Sequence, residues 1–114
     1  MALLALVGCG HGSKLFSPHD AKRAFAREGF VLVPMFPRQP RDRRSRILVP
    51  KSSEPFTVVV ARTAADAKYA YRALLREGTR QTFDLHARNV VTISDTGLTD
   101  RDKARLRRAM QHLR

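Results

Sequence analysis

The chain has 114 residues, 43% of them hydrophobic, and carries 22 Lys and Arg against 10 Asp and Glu for a formal charge of +12. That length holds one domain with one modest core, and the hydrophobic fraction excludes a disordered polyelectrolyte. The single cysteine excludes an internal disulfide framework and a CxxC zinc site, and no apolar run reaches the roughly 20 residues of a spanning helix.

In chain order, "MALLALV" is an apolar opening that runs into Gly8, Cys9 and Gly10, and "GHGSKLF" is a polar, glycine-rich bridge. "SPHDAKRAFAREG" predicts a helix with both ends marked. Ser17 is its N-cap, Pro18 its first residue and Asp20 the capping-box acid. Ala21, Ala24 and Phe25 are its apolar face, Gly29 its left-handed stop and Phe30 its hydrophobic clasp. "FVLVPMF" reads as a strand that lies at a sheet edge or ends at Pro34, which removes a ladder donor. "PRQPRDRRSR" reads as a loop, "ILVP" as a short strand, "KSSEP" as a turn and "FTVVVAR" as a β-branched strand with both faces covered.

"TAADAKYAYRALLREG" predicts a second helix, capped by Thr63 and Asp66 and closed by Gly78. "TRQTFDLHA" is a connection with a short extended piece, and "RNVVTIS" is the last strand. "LTDRDKARLRRAMQHL" is a third helix capped by Thr99 and Asp102. Its apolar stripe is Leu106, Ala109, Met110 and Leu113, while Arg101, Arg105, Arg108 and His112 line another face. The order α-β-(β)-β-α-β-α predicts an α+β two-layer sandwich over residues 17–114. A three- or four-stranded mixed sheet would carry helices on one face, with a right-handed parallel crossover from Phe56 to Ser94. A ferredoxin-like relative lacking one strand has this arrangement.

Leu6, Val7, Gly8 and Cys9 resemble the bacterial lipobox: aliphatic, small or aliphatic, small, then Cys. The resemblance implies diacylglyceryl alkylation of the Cys9 thiol and cleavage behind Gly8. Residues 1–8 would then be a short or truncated signal and residues 9–16 a flexible tether. "FSPHDAKRAFAREGF", "FTVVVARTAADAKYAYRALL" and "RNVVTIS…RLRRAM" are similar to small lipoproteins of Arg-rich bacterial proteomes, in which a helix follows the cysteine and strand–helix–strand–helix closes the chain. That family carries no known activity. What is implied is a membrane partner through Cys9 and a place on the outer side of the cytoplasmic membrane.

The excess charge is concentrated in two segments. Arg38 to Arg46 holds five Arg and one Asp, and Arg101 to Arg114 six Lys or Arg and one Asp. Arg38, Arg41, Arg43, Arg44, Arg46, Arg101, Arg105 and Arg108 are therefore the expected polyanion-binding residues, facing anionic lipid or wall polymers. The alternative is a cytoplasmic protein that binds nucleic acid or a phosphate-bearing ligand, with residues 2–13 as a strand and glycine-rich loop. "GHGS" also resembles the start of sirohydrochlorin-type chelatases, which would give His11 a metal-inserting role. The glycines lack the G-x-G-x-x-G spacing, and no helix-turn-helix or RNA-binding signature is present. His11, His19, His86 and His112 lie far apart, and no nucleophile sits beside a base. Catalysis, a cofactor and a metal are not expected.

Overall fold

The computed structural model describes residues 15–35, 45–76, 83–94 and 97–113. The elements are α1 (Pro18–Ala26), β1 (Leu32–Pro34), β2 (Ser45–Pro50), β3 (Phe56–Ala61), α2 (Ala64–Arg76), β4 (Phe83–Ala87), β5 (Val90–Ser94) and α3 (Asp100–Gln111). They form an α+β fold around one five-stranded sheet of order β1-β2-β3-β5-β4. Every neighbouring pair is antiparallel.

The helix starts follow their caps. Ser17 Oγ accepts the Asp20 N–H while the Asp20 carboxylate accepts the Ser17 N–H, which satisfies two orphan donors at once. Thr63 and Thr99 do the same for the N–H groups of Asp66 and Asp102. At the end of α1, Gly29 takes φ +84, a region open to glycine. The Phe30 N–H then bonds the Phe25 carbonyl, and the two rings pack at 6.4 Å.

The sheet departs from expectation in three ways. First, "FDLHA" is a full edge strand, so the sheet has five strands. Second, α2 does lead from β3 to a strand running parallel to it, but that strand is β4, and β5 turns back between them. The sheet is therefore antiparallel throughout rather than mixed. Burial explains the order: all five β5 residues are buried, whereas β4 keeps one residue exposed and four half-buried. The more apolar strand takes the inner slot, and the tight turn at Arg88–Asn89, with Arg88 at φ 53, returns the chain to fill it. Third, Ser45 and Arg46, expected in a loop, open β2 opposite Ala61 and Val60. The ladder extends into the charged segment because a long arginine stem can lie along a sheet and keep its head in water.

Side-chain alternation divides the sheet into two faces. Phe56, Val58, Val60, Val90, Leu48 and Leu32 point to the face that α1 and α3 cover, and share a core with Phe25, Leu106, Ala109 and Met110. Ala61, Val91 and Ile93 point the other way, onto Ala67 and Tyr71 of α2. The sandwich thus carries a helix on its second face as well, and this is why Val58, Val59 and Val60 are all buried. At the β1 edge, Met35 N–H bonds the Ile47 carbonyl and Lys51 N–H the Val31 carbonyl. Pro34 therefore falls at an outward-facing position, where its missing donor costs nothing.

Asn89, 1% exposed, ties these layers together. Its Oδ1 accepts the Phe16 N–H at 2.9 Å, and its Nδ2 donates to the Phe16 carbonyl at 2.7 Å and the Ala61 carbonyl at 2.8 Å. Asn89→Ala would strand three buried backbone groups. A loss of about 3 kcal/mol is expected, read as a lower urea midpoint at unchanged m-value; a loss under about 0.5 kcal/mol would show that the amide is dispensable.

Candidate functional site

The first residue past the C-cap of α1, Glu28, is the centre of the most connected polar cluster among the described residues. Arg105 reaches it from α3: Nε donates to the Glu28 carbonyl at 3.0 Å, Nη2 donates to the same oxygen, and Nη1 bonds Asp102 Oδ1 at 2.8 Å. The guanidinium lies 4.0 Å from the Phe30 ring centroid, a cation–π distance. Arg108 Nε donates to Glu28 Oε1 at 2.8 Å, and His112 Nε2 lies 2.9 Å from Oε2. A carboxylate only accepts, so Nε2 carries the proton. Residues 105, 108 and 112 lie on one helical stripe, which explains why one turn can collect all three.

These hydrogen bonds, from His112 first and Arg108 second, hold the Glu28 carboxyl below the usual carboxylate range. A lowered folded-state value contributes stability above the unfolded value near 4.3, and that contribution disappears as pH falls through the folded value.

Beside this cluster, α1 and the end of α3 enclose a cavity of about 180 Å³ lined by Phe16, Asp20, Arg23, Ala24, Arg27, His112 and Leu113. Arg23 on α1 and Arg27, the C-cap of that helix one turn further on, are exposed. Neither forms an ion pair with another described residue. On the other face of the sheet, Tyr71 donates to Asp84 Oδ2 at 2.6 Å and meets the His86 ring edge-on at 4.9 Å. That hydrogen bond raises the Tyr71 phenol above its ordinary value.

Of the residues expected to bind polyanions, Arg38, Arg41, Arg43 and Arg44 lie outside the described residues, as do Cys9 and His11. Arg46 is half-buried on β2, on the face of Val60, and Arg101 is exposed at the start of α3. Arg105 and Arg108 are held by Glu28. Two further cations of α3 are drawn onto one ring, with Arg107 4.8 Å and Lys103 5.7 Å from Phe83. Sequence reasoning missed Glu28, Arg23 and Arg27. A signal existed for the first: an acid at a helix C-terminus opposes the helix dipole, and in so basic a chain it implies a cation brought from elsewhere.

Among the described residues no group of three or more His, Cys, Asp or Glu could hold a metal ion, and no helix is long and apolar enough to cross a membrane. Comparison with known proteins finds no matching family model, no matching curated protein and no matching solved structure.

Two outcomes test the cluster. Glu28→Gln should lower the melting temperature at pH 7 and flatten the loss of stability below about pH 4.3, where the native protein loses the carboxylate's contribution; an unchanged acid limb would remove Glu28 from that role. Gly29→Ala forces a side chain into φ +84 and places its Cβ 2.9 Å from Arg105 Nη2. It should cost about 1–2 kcal/mol in denaturant titrations, and a neutral substitution would contradict the left-handed turn.

Proposed function

We propose that this chain is a non-catalytic, lipid-anchored domain of the bacterial cell envelope, tethered through a thioether on Cys9, with its basic surface turned toward an anionic headgroup or wall polymer. The lipobox Leu6-Val7-Gly8-Cys9 carries the reading. The distance from Cys9 to the folded body supports it. Phe16, buried and held by Asn89, is seven residues beyond Cys9. A chain of that length reaches at most about 25 Å, so an acylated Cys9 would keep the domain near the bilayer surface. A diacylglyceryl chain with adjacent cations satisfies the two-signal logic of stable anchoring. The same basic charge would favour polyanions in general, and a cytoplasmic nucleic-acid or phosphate-binding role is the competing outcome.

Intact mass and fractionation distinguish the two. Expressed from its native upstream region, the chain should lose residues 1–8, gain a lipid-sized mass and sediment with membranes. Cys9→Ser should abolish all three. An unprocessed, freely dissolved chain in both cases would overturn the anchor.

A further inference from the structure

We infer that the cleft between α1 and the end of α3 binds the phosphate of an anionic membrane lipid, with Arg23 and Arg27 as its charged lip. The inference rests on the anchor reading for its orientation and on independent geometry for its chemistry. The cavity of about 180 Å³ is large enough for a phosphodiester group, and the two arginines that line it are exposed. Phe16, Ala24 and Leu113 contribute apolar atoms to its lining, which suit the glyceryl carbons next to a phosphate. Arg23 and Arg27 are adjacent like charges on one helix face, an arrangement that an anion between them relieves.

The remaining charged groups at the cleft have defined work. The Asp20 carboxylate accepts the Ser17 N–H, and His112 is bonded to Glu28, itself paired with Arg108. At the end of α3 the amide groups of His112 and Leu113 already occupy the carbonyls of Arg108, Ala109 and Met110. The two guanidiniums are therefore the donors the cleft offers without breaking an internal bond.

Position makes the occupant a membrane lipid rather than a free phosphate. Phe16 lines the cleft and is, among the described residues, the first buried one after Cys9, so an anchor seven residues upstream would be tied to the domain at the cleft wall. Acylation at Cys9 would place the cleft among headgroups at high effective concentration, and weak binding by two arginines would then suffice to set which face meets the bilayer.

The test uses the full chain carrying Cys9→Ser, so that binding is read without the lipid anchor. Sedimentation with phosphatidylglycerol-containing vesicles is compared with phosphatidylcholine alone, for Arg23→Gln/Arg27→Gln and for a matched control on the opposite helix, Lys68→Gln/Arg72→Gln. The cleft pair should weaken binding to anionic vesicles about thirtyfold, and the control pair less than about threefold. Equal losses would show generic charge attraction and overturn the site. Soluble glycerol phosphate, followed by amide shifts over residues 23–29, separates the sources: affinity as tight as for vesicles would assign the cleft to a free phosphate and overturn the lipid assignment. The mass of Cys9 in cells expressing the cleft variant is read in parallel. An unmodified Cys9 with cleft-dependent vesicle binding fails the anchor and keeps the inference, and a lipidated Cys9 with no cleft dependence does the reverse.

Discussion

One buried amide joins segments that the sequence keeps far apart. Asn89 spends both Nδ2 hydrogens and its Oδ1 on the backbone of Phe16 and Ala61, and its own carbonyl accepts the Ala61 N–H at 2.8 Å. At 1% exposure Asn89 is shielded from bulk water, so the amide meets these partners only when all three segments are in place. The start of α1, the end of β3 and the β4–β5 turn are thereby fixed against one another. Arg88 completes the junction by laying its guanidinium over the Phe16 ring at 5.9 Å.

The rest of α1 follows from that starting point. With Phe16 held, the helix crosses the sheet so that Phe25 meets Phe56 at 5.9 Å, and Phe30 closes the aromatic group edge-on to Phe56 at 5.0 Å. Burial of these rings and of the valine rows drives folding, but apolar contact tolerates sliding. Directional bonds at the two ends of α1 remove that freedom: Asn89 at the start, and Arg105, Arg108 and His112 on Glu28 at the finish. The cleft is the space these two ties leave between α1 and the end of α3.

The elements that sequence made legible are those whose signals are local. Three Ser/Thr-x-x-Asp caps and the Gly29 stop declared the helices because each is settled within four residues. The edge position of β1 was legible through Pro34. β4 was not, since "FDLHA" is short and half-exposed, and its pairing depends on β5, which follows it. The second covered face was written in "VVV", yet which helix covers which face is settled only by sheet order, a non-local property. At the site, the stripe of Arg105, Arg108 and His112 was visible as a line of cations, but its partner Glu28 is 77 or more residues away.

That distance bears on how charge should be read in so basic a chain. A formal +12 counts every arginine alike, while the fold sorts them. Arg105 and Arg108 act as internal ligands for a turn, Lys103 and Arg107 rest on Phe83, and Arg62 pairs with Asp66 at 3.6 Å. Arg23 and Arg27 differ from these in having a cavity before them and no carboxylate among the described residues to hold them. Density along the sequence marks where cations are made; the pairing in the fold decides which can meet an outside anion. By that criterion the proposed cleft, on the helix next to the proposed anchor, has two cations left for an outside anion, although α3 carries more positive charge.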